Sequence, residues 1–223
     1  MSGSSSAAKS PQELDAGVFS DWVAAILRSL RDGTGTDVPC GECVACCSSS
    51  YFVHVGPDED AARRAIPAKF LFPAPGLPKG SLLMGFDRSG KCPMLSSRGC
   101  RVYADRPRTC RLYDCRIFPA TGILEVGEGK EAIASQASRW KFRFPGPEDL
   151  RLHAAIQKSA RFLSSNPGIF PEGFLPSNPT QLAILAIRVH SVFLDRNEAT
   201  TPPSSGDLDR LAREIVVAAD LKR

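Results

Sequence analysis

No apolar run in the sequence is long enough to cross a bilayer. The most apolar stretch, LAILAI at 182–187, supplies six residues, whereas a spanning helix needs about 20. It reads as a buried helix face, and no membrane partner is expected. The opening MSGSSSAAKSPQELD has no apolar segment behind a basic start, so no secretory signal is read there and a reducing, cytoplasmic compartment is the expectation. Internal repeats are absent. A glycine-rich loop of the kind that cradles dinucleotides or S-adenosylmethionine is also missing, and Ser48-Ser49-Ser50 has no base-bearing context for nucleophilic catalysis. Histidine is scarce, with three in 223 residues. His54 falls in a strand-like stretch and is expected to face solvent; His153 and His190 fall in helical patterns, where packing or exposure accounts for them.

What is present is an ordinary globular composition, 43% hydrophobic and 23% charged, and eight cysteines. Four of them lie inside CGECVACC at 40–47. A chain of this length buries a full core without disulfide staples. In a reducing compartment, clustered thiols persist on metal more readily than as disulfides. Cys40, Cys43 and Cys46 follow C-x2-C-x2-C, a spacing that lets a tightly turned loop aim three sulfurs inward. C-x2-C is a common half of a zinc site, and the triple spacing also opens the ferredoxin run C-x2-C-x2-C-x3-C-P. The chain departs from that run because Cys47 follows Cys46 directly, while a cysteine–proline pair stands far downstream at Cys92-Pro93. Neighbouring side chains diverge, most fully in extended backbone, so Cys46 and Cys47 either serve two sites or leave one redox-active thiol spare. Eight thiols suit two tetrathiolate sites and equally suit one centre with four structural cysteines.

The second group, Cys92, Cys100, Cys110 and Cys115, has gaps of seven, nine and four residues. These are too uneven for one knuckle, and the four are expected to reach the first group from loops and helix ends. From 87 to 116 there are eight Lys or Arg against three Asp, a local +5 in a chain whose total is +4. Such cations offset the negative charge of a thiolate centre, or form a docking face for an anion. No aromatic–basic interleaving of a nucleic-acid module is seen, so nucleic acid is disfavoured as a partner. If a short helix begins at Tyr103, Arg106 shares its face, Pro107 ends or bends it, and Arg106 and Arg111 donate to sulfur or to Asp105 or Asp114.

The eight-residue opening, the cysteine–proline pair and Cys100-Arg101-Val102-Tyr103-Ala104-Asp105-Arg106-Pro107-Arg108-Thr109-Cys110-Arg111 together resemble the YkgJ-type cysteine-cluster proteins. The resemblance covers roughly residues 38–120. That family is regarded as a zinc- or iron-chelating domain, is often described as Fe–S-cluster containing, and includes flagellin lysine methylases. The resemblance implies metal binding by Cys40, Cys43, Cys46, Cys47, Cys92, Cys100 and Cys110. Cys115 lies beyond the matched motif and joins the candidate ligands as the eighth thiol.

Along the chain, Ser10-Pro11-Gln12-Glu13 reads as a helix start. Apolar residues from Leu14 to Leu30 then recur at helical spacing up to Gly33 and Gly35. A strand is expected at 51–55, a short helix up to Pro67, irregular chain at 67–80 where Pro and Gly cluster, and two or three short strands within 117–144. Trp140, Phe142 and Phe144 alternate as a strand face does. Helices are expected at 148–164, at 179–194 behind Asn178, and at 207–221. The expected fold class is α+β, a small single domain whose irregular, metal-pinned cysteine loops are flanked by helices. Its divisions are a disordered tail at 1–9, the cysteine-cluster domain at 10–195, a linker at 196–206 and a C-terminal helix at 207–223. The expected function is binding of an iron–sulfur cluster or zinc through clustered thiolates, in a structural or electron-transfer role, with a redox or protein partner. The alternatives are a metal-dependent methyl-transferring enzyme, or a zinc-folded interaction module with a basic docking face.

Overall fold

A computed structural model of the chain describes residues 12–36, 38–194, 196 and 204–220. The expected helix start at Ser10 and Pro11 lies outside them, as do the tail at 1–9, residues 197–203 of the expected linker, and residues 221–223 of the expected C-terminal helix. The helix begins later than its apolar spacing suggests. Leu14–Val18 is a strand, β1, and α1 runs from Phe19 to Asp32. β1 pairs in parallel with a strand far downstream, Leu14 opposite Trp140 and Val18 opposite Arg143, and the register shifts between Asp15 and Gly17. Gly17 has φ 91°, a conformation no right-handed helix contains, and that bulge ends the helical reading of Leu14 and Val18. α1 then buries Phe19, Trp22, Val23 and Ile26 on one face and stops at Gly33 in the left-handed region.

The middle of the chain forms a small antiparallel sheet. β2 (Val53–Val55) and β3 (Leu71–Pro73) both pair with β4 (Leu82–Met84), and α2 (Asp60–Ala65) follows β2. Val53, Val55 and Met84 pack with Ala62 and Ile66 into a compact apolar cluster. β3 and a 3-10 turn at Ala68–Phe70 lie in the proline-rich stretch expected to be irregular. Pro73 is tolerated because β3 is an edge strand. A two-residue hairpin, β5 (Leu95–Ser96) with β6 (Gly99–Cys100), follows.

Between 117 and 144 helices replace most of the expected strands. After α3 (Arg108–Leu112) come α4 (Ile117–Thr121), α5 (Glu131–Ser138) and a single strand, β7 (Trp140–Arg143). The β-branched and aromatic content of α4 suggests a strand, but Ile117, Phe118, Ala120 and Thr121 are all buried. Packing on several sides overrides the propensity. Ile133, Gln136 and Ala137 give α5 a buried face at helical spacing. α6 (Pro147–Ser165) and α7 (Pro179–Val189) match the expected helices, though α7 passes into a 3-10 turn, His190–Phe193, instead of continuing. The Asn178 side chain caps α7, accepting the Thr180 and Gln181 amides at 2.9 and 3.3 Å. Asp149 joins two helix starts, taking the Gly146 amide of α6 at 3.1 Å and the Ser20 amide of α1 at 2.9 Å. α8 (Ser205–Asp220) lays Ala212, Ile215 and Ala219 against α6 and α7.

The result is a small α+β domain, its main core held by α1, α4, α5, α6, α7 and β7. Among the described residues no helix is long and apolar enough to cross a membrane. The cysteine loops lie between this main core and the small-sheet core.

Candidate metal centre

The first cysteine loop is fastened to the second before either reaches a sulfur. Gly35 has φ 92°, and a Cβ there would stand 2.7 Å from the Arg111 carbonyl oxygen. Only glycine allows this crossing, and the Thr36 amide uses it to donate to the Arg111 carbonyl at 3.2 Å. The Asp114 carboxylate, with a fully buried side chain, then takes the Thr36 hydroxyl at 3.2 Å, the Trp22 indole N–H at 3.0 Å and Arg116 Nη2 at 2.7 Å. Thr36 precedes the first cysteine and Asp114 adjoins Cys115, so one carboxylate sets the spacing between the two groups.

Within the first group the Cys43 amide donates to the Cys40 carbonyl at 2.9 Å, and Cys46–Ser48 is a 3-10 turn. The Ser49 hydroxyl holds the Ala45 carbonyl at 2.6 Å. Lys130 donates to the Ser49 carbonyl while its ammonium stands 4.1 Å above the Tyr51 ring. The Cys92 amide donates to the Cys47 carbonyl at 2.7 Å, which ties the groups together a second time. Cys92 precedes the β5–β6 hairpin and Cys100 is its last residue, and the Met94 amide points at Cys92 Sγ from 3.4 Å.

Cys110 rides on α3, which starts after Pro107. Proline therefore opens this helix instead of ending one begun at Tyr103, in keeping with its fixed φ. Glu59, nearly buried beside α2, anchors α3 by accepting the Arg108 amide at 2.5 Å. Cys115 is buried in the main core, and Trp140 Nε1 donates to its sulfur at 3.2 Å.

Together these constraints bring all eight cysteines to the wall of one cavity of about 880 Å³. The leading quartet, Cys40, Cys43, Cys46 and Cys47, and the trailing quartet, Cys92, Cys100, Cys110 and Cys115, share it, and every one is a free thiol. Among the described residues no three His, Cys, Asp or Glu side chains already stand as a set able to hold an ion. The cavity is thus an open space ringed by sulfur, walled by apolar Met84, Met94 and Ile133.

Residues 39–132 match the family model CxxCxxCC, whose description reads "Putative zinc- or iron-chelating domain". Over this segment the chain is similar to the cysteine-cluster family. No curated protein and no solved structure matches the chain. The cysteine-cluster domain so delimited contains all eight thiols, and chelation through its cysteines is the chemistry its family description supports.

Electrostatics divides the thiols of the cysteine-cluster domain into unlike roles. A hydrogen bond shared with Cys47, whose sulfur is 4.0 Å away, brings the Cys46 thiol down to about 7, with Arg106 adding to the effect. The same bond, with burial and the Cys46 charge behind it, pushes Cys47 up. Burial pushes Cys110 and Cys115 to about 12. Both are therefore protonated near neutral pH until a metal displaces the proton.

The arginines do not bond as the sequence suggests. Arg106 stacks on the Tyr103 ring, 3.9 Å from its centroid, and donates to the Tyr103 carbonyl at 3.2 Å. Arg111 donates to the Arg106 carbonyl at 2.5 Å and stands 3.8 Å from Glu59. Asp114 pairs with Arg116 instead of with either. His54, expected to face solvent, has a buried Nε2 without a hydrogen-bond partner and does not line the cavity. Sequence reasoning missed Gln136, which lines the cavity from α5 with Nε2 unpartnered. It also missed the Asp114–Arg116–Trp22–Thr36 network; an Asp and an Arg flanking Cys115 were the available signal.

Proposed function

We propose that the cysteine-cluster domain holds an iron–sulfur centre on its thiolates, in a structural or electron-transfer role. One observation carries the reading: eight free thiols spread from 40 to 115 line a single cavity of about 880 Å³. Soft thiolates select zinc and iron–sulfur centres over magnesium or calcium. The surroundings suit a sulfur-rich anion: an amide aimed at Cys92, an indole N–H on Cys115 and the Arg106 guanidinium at the wall. Such donors tune and stabilise thiolate centres.

The triple spacing of Cys40, Cys43 and Cys46 with a later cysteine–proline pair, which resembles the ferredoxin run, favours a cluster over a bare ion. When bound, a cluster would supply one-electron chemistry; the chain's own residues position it, exclude water with apolar walls and balance its charge. Zinc on the same thiolates is the second reading, favoured by the all-sulfur donor set and admitted by the family description. Three of the eight local cations are engaged internally, Arg108 with Asp58, Arg111 with Glu59 and Arg116 with Asp114, which favours charge balance over a free docking face.

Metal analysis together with an acid-labile sulfide assay on anaerobically purified protein tests the reading. Iron with sulfide, in a brown protein that bleaches on oxidation, is the expected result. Colourless protein with zinc and no sulfide replaces cluster by zinc, and protein free of either metal refutes the function.

A further inference from the structure

The cavity wall comes from two different cores. Cys92, Cys100 and Cys110 pack against the small-sheet cluster of Val53, Val55, Met84 and Met94. Cys115 is a member of the main core, and Val38 and Ala45, on the loop carrying Cys40 and Cys43, pack against that same core.

The adjacent pair straddles the divide. Cys47 is fixed to the sheet side through the bond from the Cys92 amide to its carbonyl, 2.7 Å. Cys46, whose sulfur is 4.0 Å from that of Cys47, follows Ala45, which packs against the main core. Three thiols on each side leave each set one short of the four that a thiolate centre takes. Two adjacent side chains close both sets only if each serves a different one.

Resting on the metal-binding reading above, we infer that the cavity holds two separate four-thiolate centres. The main-core centre uses Cys40, Cys43, Cys46 and Cys115, and the sheet-side centre uses Cys47, Cys92, Cys100 and Cys110. Each side has N–H groups for its sulfurs. The Met94 amide serves the sheet side, and Trp140 Nε1 the main-core side. Gln136 is 6% exposed, its Oε1 accepts from Arg139, and its unpartnered Nε2 is a further donor from the main-core helix α5. A buried amide left without a partner is costly, and a sulfur anion at that wall satisfies it.

The test is a cobalt(II) titration of the full chain, reduced and stripped of metal under anaerobic conditions, followed by thiolate-to-cobalt charge-transfer absorption. Wild type is expected to saturate at two equivalents. Cys40→Ser and Cys100→Ser each retain one, and the double variant retains none. Cys40 is exposed and Cys100 half-buried, and far-UV circular dichroism of the metal-free variants separates lost ligation from lost fold, with Cys43→Ser and Cys92→Ser as substitutes for a variant that does not fold. Gln136→Leu is expected to shift the absorption that survives in Cys100→Ser and to leave that in Cys40→Ser unchanged. Saturation of wild type at one equivalent, or loss of all cobalt in a folded single variant, overturns the division and leaves metal binding standing. Absence of any binding in wild type removes the metal-binding reading along with it.

Discussion

Replacing Asp114 with alanine cuts the carboxylate that ties both cysteine groups to the helical core. In the folded chain it accepts from Arg116 Nη2 at 2.7 Å, Trp22 Nε1 at 3.0 Å, Thr36 Oγ1 at 3.2 Å and the Arg116 amide at 3.0 Å. The Arg116 side chain is 9% exposed and that of Asp114 not at all. Removing one partner of a buried ion pair costs about 3–5 kcal/mol, because the remaining charge keeps its desolvation penalty without its counter-charge. The two side-chain bonds from Trp22 and Thr36 are worth roughly 1 kcal/mol each, and local relaxation offsets part of that sum. An expected loss of about 4 kcal/mol is a large share of the roughly 5–15 kcal/mol that stabilises a domain. Anaerobic urea unfolding of the chelator-treated protein, followed by tryptophan fluorescence, measures it, since Trp22 and Trp140 both lie in the main core. The double variant Asp114→Ala/Arg116→Met is expected to recover part of the loss by removing the stranded cation. A single-variant loss under about 1 kcal/mol, or a double variant no more stable than the single, refutes the assignment of Asp114 as the clamp.

Cys43→Ser is expected to halve bound metal and to destabilise the holo-protein, since metal-binding free energy is folding free energy at such sites; unchanged metal content removes Cys43 from the ligands. Arg106→Gln is expected to alter the spectrum or potential of the centre while Arg63→Gln leaves it alone. Arg106 lines the cavity, whereas Arg63 donates to the Gly80 carbonyl at 2.9 Å outside it, and equal effects contradict the charge-balance role. The thiols of Cys110 and Cys115 rise from 9.0 to about 12 in the metal-free fold. The unfolded chain therefore loses these protons first, so metal-free stability holds below about pH 9 and falls as pH climbs toward about 12. Denaturation midpoints that stay flat across that window contradict the burial of both thiols. Metal affinity runs the other way, strengthening as pH rises and the same protons become easier to displace.

Elements whose core side is set by their own sequence were readable. α6, α7 and α8 each carry an apolar face at helical spacing, and Asn178 announces its cap. The misreadings fall where a distant partner decides. Leu14 and Val18 fit a helix face until Trp140–Arg143 supplies a parallel strand and Gly17 a bulge, neither of which is visible in a local window. Of the two or three short strands expected within 117–144, only β7 forms, and α4, buried on the main core, closes as a helix.

The site was legible in kind because thiols crowd so rarely that spacing alone implies a chemistry, and because the adjacent Cys46-Cys47 pair departs from the spacing of a simple knuckle. Its arrangement was not legible. Which sulfur belongs with which depends on the crossing of Gly35 over Arg111, on the Asp114 carboxylate and on the bond from Cys92 to Cys47. These are backbone and carboxylate contacts spanning up to 92 residues of sequence. Cys115 shows the point most clearly. Its place beyond the family-like motif says little, whereas its burial under the Trp140 indole puts it in the core that Val38 and Ala45, on the loop carrying Cys40 and Cys43, also pack against. The motif carries the donors, and the two cores behind them decide how those donors are shared.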